Sequence, residues 1–243
     1  MAKHKYRRAA ASSARSYKRS GVSGSRPGSS ILIVTEGVNT EPIYFECIRR
    51  MFSSATVELV AHGAGRGDPR SLADAALAVR KQRKRQAREK TLSINQLEDF
   101  DEIWIVFDTD VLSAAKLASG MGYAKSNGIR IACSEPCFEY CLLLHGENAD
   151  TTALMAKCGD VEPYLKKAFG WTAYDKKNKA SKDLIRPLVS KKGVRRAVEG
   201  AVRCRKHHVG AATPFPANPS TDVDQLIAVI NDAVPKANKL PEA

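Results

Sequence analysis

Hydrophobic positions along this chain come in short continuous runs, separated by stretches whose apolar residues recur at helical spacing. "ILIVT" predicts a strand at 30–35, and "EPIYFECIRRMF" predicts a helix at 41–53. Pro42 falls in that helix's first turn, where its missing N–H has no intrahelical role. A second short strand is expected at 56–61, "TVELVA". The loop "HGAGRGDPR" then leads through Asp68, a capping residue, and Pro69 into a long helix ending near 90. "EIWIVFDTD" at 102–110 is apolar without alternation, the pattern of a parallel strand covered on both faces. A helix of mostly small residues at 112–126 closes at Gly128, "IRIAC" at 129–133 makes a fourth strand, and a helix at 136–146 begins at Pro136.

This βαβαβαβα order predicts an α/β fold, an open parallel sheet flanked by helices and joined by right-handed crossovers. Beyond 150 the pattern turns mainly helical, with stretches at 160–169, 181–208 and 219–235 and loops at 171–180 and 209–218. Ser220 or Thr221 is expected to cap the last helix, with Asp222 and Asp224 in its first turn. No internal repeat is present. Three regions follow: a basic arm at 1–28, an α/β domain at 29–148 and a helical C-terminal portion at 149–243.

Charge changes this picture more than composition does. The chain of 243 residues carries a formal +13, which points to a polyanionic partner, nucleic acid ahead of an acidic membrane. Residues 1–28 hold eight Lys or Arg and no acid, among Ser, Ala and Gly, and are expected to be a disordered arm. The rest carries +5 (13 minus 8), much of it in "RKQRKRQAREK" at 80–90. Arg80, Lys81, Arg83, Lys84 and Arg85 are therefore candidate phosphate contacts, acting by counterion release; the same run also reads as a solvated helix face.

Several classes are excluded or disfavoured. No apolar run reaches the 18 residues of a membrane span, and no secretory signal is expected. Six cysteines without a CxxC pair suggest a reduced, cytoplasmic setting. Cys137, Cys141 and His145 share one helix face but lack zinc-loop spacing, so they read as buried core residues. Gly63, Gly65 and Gly67 form no phosphate-binding loop, so nucleotide hydrolysis would belong to a partner.

The candidate chemistry lies at the strand ends. Glu36 follows the first strand, and Asp108 and Asp110 close the third. In an open α/β sheet, sites form outside the carboxyl ends of the strands, so these acids are expected on one edge. Gathered carboxylates in a basic protein suit a hard cation, Mg²⁺ or Mn²⁺, that activates water against a phosphodiester. Strand-end acids can also simply cap the following helix.

"ILIVTEG" followed by "WIVFDTD" resembles the Toprim signature of topoisomerases, bacterial primases and OLD-type nucleases. With "EGVNTEPIYFE", "SEPCFEYCLLLH", "YDKK" and "NPSTDVDQLI" the likeness narrows to the RloB family, over about 30–235. That resemblance implies a Toprim-like sheet, a Mg²⁺-dependent nuclease activity and a role in bacterial phage defence beside an AAA-type or ABC-like ATPase partner. By the same resemblance, Asp108 and Asp110 are metal ligands, Glu36 is a ligand or general acid/base, and Glu41 and Glu139 are second-metal candidates. Tyr174 and Lys176 match the family's Y-x-K, which makes Lys176 a candidate for stabilising phosphoryl charge. The chain departs from the family at Glu135, where an asparagine is usual, and at Cys141, where a tryptophan is. The competing reading is a subunit that binds nucleic acid without cutting it.

Overall fold

Residues 31–34 have no exposed side chain, yet they feed two separate cores. Ile31 and Ile33 point to one face of the sheet, and Leu32 and Val34 to the other. That division follows from the two-residue period of a strand. The structure, a computed structural model, describes residues 29–53, 57–62, 68–92, 98–109, 112–147, 149, 153–171, 174, 181–211 and 215–240. The basic arm, Asp110 and Lys176 lie outside the described residues.

In chain order the elements are β1 (Ile31–Thr35), α1 (Thr40–Met51), β2 (Val57–Ala61), α2 (Pro69–Arg88), β3 (Glu102–Asp108), α3 (Ala114–Ser126), β4 (Arg130–Glu135), α4 (Glu139–Leu143), α5 (Cys158–Phe169), α6 (Ser181–Ile185), α7 (Lys191–Gly210), β5 (Ser220–Thr221) and α8 (Val223–Ala233). The strands form one sheet in the order β2-β1-β3-β4-β5, parallel apart from the antiparallel β4–β5 pair. The chain runs outward from β1 first to β2 and then, in the other direction, to β3. The crevice between the ends of β1 and β3 is therefore the switch point at which such sheets place ligands.

Residues of α2 and α3 pack with Leu32, Val34, Ile105 and Phe107 on one face. Those of α1, α4, α5, α7 and α8 pack with Ile33, Trp104, Val106 and Ala132 on the other. The mainly helical C-terminal portion thus completes the larger core. Asp68 caps α2 as the sequence suggests, its carboxylate accepting from the amides of Arg70 (2.9 Å) and Ser71 (3.0 Å), with Pro69 at the first helical position.

Three local expectations are revised. The helix read at 136–146 shrinks to α4, because a tight turn closed by the Tyr140 amide on Cys137 O occupies its start. Ser220 and Thr221 do not open the last helix but pair with Glu135 and Ser134 as β5. The long helix at 181–208 breaks around Pro187, whose ring and missing N–H end α6 in a 3₁₀ turn over 186–188. Among the described residues no helix is long and apolar enough to cross a membrane.

Candidate metal centre

The ends of β1 and β3 are joined by the acids that follow them. The Glu36 amide donates to Val106 O at 2.9 Å, extending the parallel ladder by one rung. The Asp108 amide in turn donates to Glu36 Oε2 at 3.2 Å. Thr35 Oγ1 donates to Gly37 O at 2.9 Å and shapes the turn into α1, while the Gly37 amide donates to Glu41 Oε1 at 3.1 Å. A Cβ at position 37 would run into the Glu41 carboxylate, so glycine lets that side chain reach the Gly37 amide.

A third segment closes the group. The Phe138 amide donates to Asp108 Oδ1 at 2.8 Å, which fixes the turn before α4 against the end of β3. Glu139, the first residue of α4, is 2% exposed. Its Oε1 accepts the Tyr174 hydroxyl at 2.6 Å and the Thr40 hydroxyl at 3.4 Å. Tyr174 is held in turn by stacking on Trp171, with ring centroids 5.2 Å apart. Glu41 and Glu139 both sit in first helical turns, where the helix dipole favours negative charge.

Burial nevertheless outweighs that help at Glu41. Desolvation, with the charges of Glu139 and Glu36 acting in the same direction, holds its carboxyl up at about 7 against the lowering effect of its own amide and that of Gly37. Burial likewise raises the Tyr174 hydroxyl, followed by the neighbouring Glu139 charge, so Tyr174 stays a proton donor. Four carboxylates from three segments therefore crowd one edge, and the like charges that raise Glu41 are what a divalent cation would offset.

The donor set fits a hard cation. It is all oxygen, and Mg²⁺ keeps several waters and takes few carboxylates directly. The acids line the edge without closing into a tight cage: among the described residues, the group of three ligand atoms lying within 4.8 Å of one another is Cys137, Glu139 and Cys158.

The basic run lies elsewhere. Arg80 pairs with Asp99 at 2.8 Å, and Lys84 pairs with the same carboxylate at 3.0 Å, just before β3 begins. Arg83, 3% exposed, is held by Glu58 near the start of β2 and stacks 4.4 Å from the Phe100 ring. Lys81 and Arg85 are exposed, Arg85 beside Glu89 at 3.4 Å. These contacts put the run at the amino ends of the strands, opposite the acids.

Other residues find plain roles. Glu135 accepts from Asn218 Nδ2 at 2.9 Å and from the Thr109 hydroxyl, and so ties the end of β3 to the loop before β5. His62 continues the ladder through its amide, 2.9 Å from Thr35 O. Cys141 and His145 are buried in the larger core or against it, His145 Nδ1 lying 3.1 Å from Cys141 O. Two of the six cysteines, Cys137 and Cys158, are joined in a disulfide, a pairing that their spacing does not announce. Thr40 and Cys158 as neighbours of Glu139 were also invisible in the sequence, because long-range contacts bring them there.

A protein-family model described as RloB-like protein matches residues 31–230. No curated protein and no solved structure matches the chain.

Proposed function

Because the chain belongs to the RloB-like family, we propose that its acidic edge binds Mg²⁺ or Mn²⁺ and hydrolyses nucleic-acid phosphodiesters. The observation that carries this reading is the convergence of Glu36, Glu41, Asp108 and Glu139 at the switch point of a parallel sheet. A bound divalent cation would supply a Lewis acid for the phosphoryl oxygen and a more acidic water.

The chain's own groups do the rest. Asp108 and Glu36 would hold the cation at the ends of β3 and β1, and Glu41 and Glu139 would border it from α1 and α4. Asp110, two positions beyond Asp108, belongs to the same proposed ligand set. Glu36 also accepts a proton from the attacking water. Tyr174 donates to Glu139 and keeps that carboxylate in one orientation. Lys176, two positions on, is assigned to the developing phosphoryl charge. Lys81 and Arg85 hold the backbone of a longer nucleic acid, with Arg80, Arg83 and Lys84 supporting that surface through their ion pairs. The family resemblance is what supports an ATPase partner and a role in phage defence.

The test is cleavage of labelled DNA and RNA with Mg²⁺ or Mn²⁺, by wild type and Asp108→Ala, each with and without the neighbouring ATPase. Metal-dependent cutting that disappears in Asp108→Ala supports the reading. Salt-sensitive binding without cutting in every arm would replace it with the non-catalytic nucleic-acid-binding subunit.

A further inference from the structure

Glu139 faces two different kinds of chemistry. Its Oε1 takes the hydroxyl protons of Tyr174 and Thr40, whereas its Oε2 lies 3.2 Å from Cys158 Sγ. Cys158 is joined to Cys137, with the two Cα atoms 5.4 Å apart. A disulfide sulfur carries no proton, so in the oxidised state this buried carboxylate oxygen gains no hydrogen bond from its sulfur neighbour. Two reduced states make better sense of the contact: a thiol that donates to Oε2, or sulfur and oxygen turned on one cation.

We propose that Cys137, Glu139 and Cys158 form a binding site for one soft divalent cation such as Zn²⁺, open only when the disulfide is reduced. Their ligand atoms lie within 4.8 Å of one another, the two sulfurs because they are bonded in the oxidised state and the Glu139 carboxylate because it packs against Cys158. Two thiolates and a carboxylate suit Zn²⁺ or Co²⁺ and discriminate against Mg²⁺, which prefers oxygen alone. Three protein donors leave a fourth position for water or another small ligand. The backbone supports the geometry on both sides: Cys137 sits in the turn fixed by the Phe138–Asp108 hydrogen bond, and Cys158 opens α5.

The redox step balances with a dithiol as co-reactant. The dithiol gives two electrons and two protons, the S–S bond breaks, two S–H groups form, and the dithiol closes to its own disulfide. The cation then displaces a proton from each thiol. This site does not depend on the nuclease reading, although filling it would draw Glu139 away from the acidic edge.

The full-length chain is reduced with dithiothreitol, freed of reductant under nitrogen and titrated with Co²⁺. One equivalent of Co²⁺ is expected, with a sulfur-to-cobalt charge-transfer band that Zn²⁺ abolishes and excess Mg²⁺ leaves unchanged. The air-oxidised protein, with two fewer free thiols, gives no band. Cys137→Ser and Cys158→Ser each remove the band, while Cys47→Ser keeps it. Glu139→Gln, which retains both sulfurs and the side-chain shape, keeps the band but weakens Co²⁺ at least about tenfold. Three results each overturn the proposal: no Co²⁺ band in protein with both thiols free, an unchanged band in Cys137→Ser, or native thiols that dithiothreitol cannot expose.

Discussion

The Asp108 main-chain amide donates to Glu36 Oε2 at 3.2 Å, joining residues 72 positions apart across the ends of two neighbouring parallel strands. The acid that follows β1 is thus oriented by the backbone of β3, and charge and orientation at this point can be separated by mutation. Glu36→Gln keeps an oxygen acceptor for that amide and removes the charge. Glu36→Ala removes both. Both variants should lose metal-dependent cleavage by roughly 10²–10³-fold. Glu36→Ala should also lose about 1 kcal/mol of stability in urea, and Glu36→Gln should not. Equal stability losses in the two variants would show that the hydrogen bond does not orient this acid.

Gly37→Ala tests the position of Glu41 without touching its charge. The added Cβ would meet Glu41 Oε2, the far end of a side chain that can swing away, so the fold should survive. The stabilisation that Mg²⁺ gives the protein should fall with it, read as a smaller rise in melting temperature on adding metal. A full metal-induced rise in Gly37→Ala would show that Glu41 takes no part in binding.

The basic helix should divide into two classes of residue. Arg83→Ala breaks the pair with Glu58 and the stack on Phe100, and is expected to cost roughly 1–3 kcal/mol after allowance for the half-exposed partner. Lys81→Ala with Arg85→Ala should leave stability unchanged and lower the salt dependence of nucleic-acid binding by up to about one unit per lost phosphate contact. Strands of this length span roughly 20 Å, so a duplex shorter than about 6 base pairs does not reach both this surface and the acids. Cleavage of such short substrates should be insensitive to the double substitution.

The stability of the metal-free protein should depend on pH through two buried groups of opposite sign. Burial holds the His145 imidazole down at about 4, so the unfolded chain binds its proton first. This contribution is fully present above about 6.5, is lost as pH falls to 4, and is worth on the order of 3 kcal/mol. Glu41, held up at about 7, does the reverse: its contribution is full below about 4.5 and is lost as pH rises through 7. Between 4.5 and 6.5 the two slopes cancel. His145→Gln should expose a stability that falls with rising pH over that window, and Glu41→Gln one that rises, both measured by chemical denaturation. Parallel curves for the two variants would contradict the opposed assignments.

The sequence by itself determined the strand-and-helix order, because continuous apolar runs and helical spacing record local burial directly. It also put Glu36 and Asp108 at strand ends, since a polar residue directly after an apolar run marks where the strand leaves the core. Family likeness was legible too, carried by motifs spread over most of the chain. Tertiary structure alone decided the rest. Strand order, and with it the switch point between β1 and β3, depends on which apolar faces meet. A charge run looks the same in sequence whether its arginines face water or, like Arg83, lie buried against Glu58 and Phe100. The partners of Glu139 come from α1, from α5 and from Tyr174, and no local pattern encodes such distant neighbours. Separation in the chain says nothing about distance once a core has formed, and a site assembled from four segments is a property of that core.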